Sequence, residues 1–172
     1  MPMPANDLGD GMVLYFLRHG QAGHHYPTDF ERELTEEGKN ASRDIGVFCA
    51  EMNIHFTHAL VSPLVRAQQT AHRVLKQFPN VVMKATEHLT PDSDPRNLFT
   101  ELHAYPSAGR ILLVTHEPFV STCISTLISA HETAHVAMHT TSFACVETHG
   151  APARGNGTLR WLVTSDMLRE IL

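Results

Sequence analysis

The sequence predicts a three-layer α/β/α sandwich built on a mostly parallel sheet with an antiparallel edge. Three observations carry this expectation. Short apolar runs rich in strand formers alternate with segments of helical length as far as residue 130, and that alternation argues for parallel pairing with right-handed crossovers. Three of the runs end in an arginine, a serine–proline pair or a histidine, the kind of side chain that open α/β sheets collect at the carboxyl ends of their strands. After His139 the pattern changes to two β-rich stretches separated by Gly150, Pro152, Gly155 and Gly157, which read as an antiparallel hairpin at one edge.

Met12–Leu17 is the first strand, apolar throughout. The polar stretch Arg18–Leu34, with Gly20, Gly23 and Pro27, is a loop over the strand end. Thr35 caps a helix over residues 36–52, with Glu36 and Glu37 placed against its positive end. His58–Val61 is the second strand. Ser62 then reads as an N-cap and Pro63 as the first helical residue of a helix reaching Phe78. Val81–Ala85 is a third strand, residues 86–95 a loop, and Asn97–Ala104 a short helix. Ile111–Thr115 is a fourth strand, ending at His116 and followed by a helix over residues 118–129. Ser142–Glu147 and Thr158–Val163 form the hairpin.

The chain has 172 residues. That suggests one domain, residues 11–172, able to bury roughly 70% of its extended surface without staples. Residues 1–10 carry two prolines and a glycine, with neither a basic start nor an apolar stretch. They read as a flexible tail rather than a signal peptide. The net charge is −5 and no Lys/Arg block appears, which argues against nucleic acid as a partner. No apolar run is long enough to cross a bilayer. Cys49, Cys123 and Cys145 are odd in number, unpaired in spacing and set in apolar contexts, as expected of buried thiols in a reducing compartment. A cytoplasmic monomer is the expectation.

Against this acidic background, phosphate chemistry needs a local basic spot. Arg18 offers a planar fork for phosphate oxygens, His19 a nucleophilic nitrogen and Gly20 a backbone that approaches a ligand closely. Arg66 offers a second fork, and His116 a hydrogen bond to a transferring oxygen. Each has a plainer reading: a surface ion pair for Arg18, a solvated helix face for Arg66, a satisfied core histidine for His116, a helix cap for Ser62. In a parallel sheet the three strand ends lie on one edge, so the groups converge.

In that order, Arg18-His19-Gly20, Ser62-Pro63 with Arg66, and His116 resemble the signature of the histidine phosphatase superfamily, whose fold is phosphoglycerate mutase-like. The resemblance runs from about Val13 to Val163, and Leu34-Thr35-Glu36-Glu37-Gly38 matches the opening of that family's first helix. The short length and Leu89-Thr90-Pro91 are similar to the small SixA-type phosphohistidine phosphatases. The resemblance implies a phosphatase without metal or other cofactor, acting through a phosphohistidine intermediate. His19 is then the nucleophile. Arg18, Arg66 and His116 hold the phosphoryl oxygens, and Gly20 and Ser62 complete the binding set.

A proton donor is harder to place. Many family members supply a glutamate from the central segment. Here that region is Glu87-His88-Leu89-Thr90-Pro91-Asp92-Ser93-Asp94, and His88 falls where related short members carry Glu. His88, Asp92 and Asp94 remain candidates. An unassigned acid favours a leaving group that departs easily, and the short stretch between Arg66 and His116 leaves little room for a helical lid. Both point to phosphohistidine on a protein. The alternatives are a small phosphate ester and a catalytically weak phosphoprotein-binding module. His131-Glu132-Thr133-Ala134-His135 fits a zinc-binding His-Glu-x-x-His pattern, extended by His139. It falls after a helix that ends near Ala130, so the expectation is a His-rich surface loop. His24 and His25 read as loop at the pocket rim.

Overall fold

The computed structural model describes residues 11–171; the expected tail at 1–10 lies outside them. Six strands form one sheet. They are β1 (Val13–Arg18), β2 (His58–Val61), β3 (Met83–Ala85), β4 (Arg110–Thr115), β5 (Phe143–Thr148) and β6 (Gly157–Val163), in the order β3-β2-β4-β1-β5-β6. β1 pairs in parallel with β4, and β4 and β3 in parallel with β2. β5 pairs antiparallel with both β1 and β6. The hairpin thus sits at one edge of a parallel core, as the change of pattern after His139 predicts.

Alternation along β1 separates the two cores. Leu14 and Phe16 face one layer, made by α3 (Pro95–Leu102) and α4 (Phe119–Ser129). Val13, Tyr15 and Leu17 face the other, made by α1 (Glu36–Glu51) and α2 (Val65–Leu75). Successive strand side chains point to opposite faces, so a strand buried on both sides reads as a continuous apolar run. Cys49, Cys123 and Cys145 are free and buried.

Several boundaries differ from expectation. α2 begins at Val65, not Pro63, and its N-cap Leu64 makes no side-chain cap bond. Ser62 lies two residues before that cap; its hydroxyl accepts from Leu64 N at 3.4 Å and also meets His116, as described below. α3 starts two residues early because the Asp94 carboxylate accepts from Arg96 N and Pro95 takes the first helical position. Residues 87–89 form a 3-10 turn inside the expected loop. β3 keeps only three residues at the sheet edge. A further helix, α5 (Ser165–Ile171), was not expected. It buries Leu168 in the α1/α2 core, and Arg169 reaches Glu37 of α1 at 3.1 Å.

Candidate active site

The carboxyl ends of β1, β2 and β4 meet at one point of the sheet edge. β1 delivers Arg18 and then His19, β2 delivers Ser62, and β4 delivers His116. The His19 and His116 rings lie 4.8 Å apart, centre to centre. Arg66, the second residue of α2, reaches in to place its Nε 3.2 Å from His19 Nε2.

The backbone after β1 turns sharply to orient His19. Gly20 N donates to Thr70 Oγ1 (3.0 Å), which itself donates to Arg66 O. Here the turn lies against the start of α1. A β-carbon on Gly20 would stand 2.7 Å from Gly38 O and 2.9 Å from Ser42 Oγ, so this position needs glycine. The same turn puts Gly20 O 2.8 Å from His19 Nδ1. A carbonyl only accepts, so Nδ1 carries the proton. Nε2 is left with a lone pair, and it is this atom that Arg66 Nε meets.

Both imidazoles are held neutral. Burial lowers His19 from the usual histidine value of 6.5 to about 4, opposed by the Gly20 carbonyl and helped by the charges of Arg66, Arg18 and Arg32. The sequence alone assigns this to the arginines; burial is the larger cause. His116 is lowered to about 2, again first by burial and then by His19 and Arg66. A buried imidazole that cannot shed its charge to water stays unprotonated.

Ser62 Oγ lies 2.7 Å from His116 Nε2, both groups being buried. With the hydroxyl donating, the remaining proton sits on His116 Nδ1, a tautomer inferred from the hydrogen-bond network. That Nδ1 is buried without a hydrogen-bond partner, and so is Arg18 Nε. Arg18 is tied down through Nη1 to the Met138 carbonyl at 2.7 Å. Buried donors left unpaired at these strand ends suit a tetrahedral oxyanion, which accepts from several directions.

The remaining expectations fare differently. His88, Asp92 and Asp94 are not drawn into this cluster by any hydrogen bond. His88 Nδ1 lies 3.0 Å from Glu101 Oε2, and Glu101 also takes Lys84 and Thr86. Asp94 caps α3 and pairs with Arg96, whose hydrogen bonds hold its carboxyl below the usual carboxylate range. Asp92 lines a surface groove of about 510 Å³ with Asp94, Arg96, Glu132 and Arg154. His131–His139 is irregular rather than helical, so the His-Glu-x-x-His register that places two histidines on one helix face is not formed. That stretch contributes the Met138 carbonyl instead. His24 is exposed beside Arg32 at 3.5 Å. Sequence reasoning missed Thr70, Asp29 and Arg32. Asp29, in the 18–34 loop, accepts from Arg66 through both its carbonyl and its carboxylate. No motif marks it.

The arrangement suits an α/β enzyme that handles a phosphoryl group or a similar oxyanion. Comparison with known proteins narrows the class. A family model described as the histidine phosphatase superfamily (branch 1) matches residues 14–90. Phosphohistidine phosphatase SixA of Escherichia coli (strain K12) is 29% identical over 154 residues, covering 87% of this chain and 92% of that protein. An uncharacterised protein of Picosynechococcus sp. is 30% identical over 111 residues, 62% of this chain and 67% of its own length. Among solved structures, the protein histidine phosphatase SixA complexed with tungstate aligns with a TM-score of 0.79 at 25% identity, covering 91% of this chain and 99% of that one. Phosphoglycerate mutase from Bacillus anthracis str. Sterne shares the fold, with a TM-score of 0.67 at 15% identity over 94% of this chain and 96% of its own.

The chain belongs to the histidine phosphatase superfamily and has its phosphoglycerate mutase-like fold. Phosphatase chemistry is the activity this membership supports. Among the described residues, no helix is long and apolar enough to cross a membrane.

Proposed function

We propose that the protein removes phosphate from phosphohistidine carried on another protein, by way of a covalent phosphohistidine on His19. The observation that carries this reading is the state of His19: a neutral ring, its proton on Nδ1 and its Nε2 lone pair facing the Arg66 guanidinium. Nε2 forms the bond to phosphorus as the bond to the leaving nitrogen breaks, and the leaving imidazole takes that electron pair. Water then attacks the phospho-enzyme, and the pair returns to Nε2. Arg18, Arg66 and His116 bind the equatorial oxygens, and the two arginines supply the positive charge that a metal ion supplies elsewhere. Gly20 shapes the pocket, and Ser62 acts through His116.

The substrate follows from the leaving group. An alkoxide needs a proton in the transition state. A phosphoimidazole protonated on its second ring nitrogen leaves as neutral imidazole and brings that proton with it. Here His88 pairs with Glu101, Asp94 pairs with Arg96, and Asp92 lines a surface groove. Likeness to the phosphohistidine phosphatase SixA supports the same choice.

Side-by-side kinetics on a phosphohistidine protein and on 3-phosphoglycerate test the substrate, and acid quench with labelled substrate tests the intermediate. The expected result is a higher kcat/KM on the phosphoprotein, unchanged by EDTA. Acid-labile label should appear on wild type and be absent from a folded, inactive His19→Ala. Full activity in His19→Ala would end the mechanism. A clear preference for the ester would retire the substrate and leave the nucleophile in place.

A further inference from the structure

Arg66 is a long, flexible cation, yet its side chain is only 4% exposed and aimed at one atom of His19. Something must hold it there. The two ends of its guanidinium do different jobs. The terminal fork is occupied: Nη1 donates to the Asp29 carbonyl at 2.6 Å and Nη2 to the Asp29 carboxylate at 2.9 Å. The lateral edge meets the nucleophile through Nε, 3.2 Å from His19 Nε2. Asp29 is itself braced. Its other carboxylate oxygen takes Arg32 Nη1 at 2.9 Å, and Arg32 Nε is fixed on the Gly23 carbonyl at 2.7 Å. The loop is stitched to α2 nearby, where Val65 N donates to Phe30 O and Gln69 accepts from Leu34 N.

Resting on the phosphatase reading above, we propose that Asp29 is the positioning residue of the site: it grips the terminal fork of Arg66 so that the lateral edge is presented, already oriented, to the phosphoryl group on His19. A guanidinium has five donors in a rigid plane. Fixing two of them at one end sets the direction of the rest, and the ordering cost is met before substrate arrives. The carboxylate is not an internal stand-in for phosphate, because it occupies the end of the fork turned away from His19 and leaves the lateral edge, whose Nε meets His19 Nε2, on the nucleophile's side. Burial pulls the Asp29 carboxyl upward, but the hydrogen bonds from Arg32 and Arg66 outweigh it and keep it charged.

The test uses the full chain and two readouts: calorimetric affinity for inorganic phosphate, and kcat/KM on a phosphohistidine protein. The variants are Asp29→Ala, Asp29→Asn, Arg66→Ala and the two double variants. Asp29→Ala should weaken phosphate binding and lower kcat/KM by roughly tenfold, the scale of one charge-assisted bond lost at a distance of one residue. Asp29→Asn, which keeps the size and one acceptor, should lose less. Neither change should cost anything further once Arg66 is alanine, because an effect transmitted through Arg66 vanishes with it. Losses that multiply in the double variants would show that Asp29 merely supports the loop, and would overturn the inference. Tighter phosphate binding by Asp29→Ala would overturn it too, by making the carboxylate a competitor. Wild type without phosphate affinity would do the same. Phosphate binding needs no turnover, so intact coupling with no activity on phosphohistidine would retire the proposed substrate and support Asp29 in its role.

Discussion

The ends of β1, β2 and β4 and the segment that follows β3 both lie along the same edge of the sheet, yet they have been used in opposite ways. At the strand ends, His19, Ser62, Arg66 and His116 are buried and bound to one another, with unpaired donors left on Arg18 and His116. In residues 86–94 the polar groups bind outward or to their own turn. His88 goes to Glu101, Asp94 to the start of α3, and Ser93 to the Glu87 carbonyl. On the proposed mechanism, the half of the reaction that makes a bond to phosphorus is built into the core, while His88 and Asp94, two of the candidate acids, are engaged in an ion pair and a helix cap. A site divided this way suits a substrate that brings its own proton.

The strand-end half breaks most visibly at Arg66. On the proposed mechanism, Arg66→Ala removes a buried cation that acts on the phosphoryl group in both ground and transition states, so KM should rise and kcat fall together. The expected loss in transition-state stabilisation is about 2–4 kcal/mol, the scale for one charged donor in a preorganised site. Steady-state kinetics check it. An unchanged kcat/KM would return Arg66 to a structural role with Asp29.

Much of this half was legible in the sequence because it is local. A strand end followed by Arg-His-Gly, by Ser-Pro or by His needs only a parallel sheet to bring the pieces together. The details that were not legible are the ones that cross the fold. Ser62 reads as a helix cap from its neighbours, but the helix starts later, at Val65, and the contact of its hydroxyl with His116 depends on β4 arriving alongside. Asp29 sits in a polar loop with no periodicity, and its meaning depends on an arginine on α2. The low value of His19 reads as an effect of nearby charge, but burial, which a sequence does not state, contributes more. α5 is short, and it forms because Leu168 finds a core already made.

Acid tests the strand ends from the other side. His19 has a folded value of about 4 against an ordinary 6.5, so the unfolded chain binds the extra proton first. The stability this group contributes is therefore fully present above pH 6.5 and is lost as the pH falls towards 4. The total from His19 alone is about 3 kcal/mol. Denaturant melts across that window should show a falling midpoint, with the slope reduced in His19→Ala. The His19 ring followed by NMR should titrate near 4 with its proton on Nδ1. A ring that titrates near 6.5 would mean that water reaches it and that the strand-end pocket is not dry.

The smallest effect belongs to the other half of the comparison, and it is the most discriminating. If residues 86–94 supply no proton, then His88→Ala, Asp92→Asn and Asp94→Asn should each leave kcat/KM on a phosphohistidine protein within about twofold. The cost should appear in stability instead, and unevenly. Asp94→Asn keeps a capping oxygen at the start of α3 but loses the charge that pairs with Arg96; because that pair is exposed and screened by water, the loss should be small. His88→Ala removes one of the three partners of Glu101, leaving Lys84 and Thr86 in place. A phosphate ester separates the two cases, because its alkoxide demands an acid that imidazole does not. Replacing His88 should therefore matter on neither substrate if the dyad with Glu101 is structural. A loss confined to the ester would identify His88 as the acid and erase the contrast between the two halves of this edge.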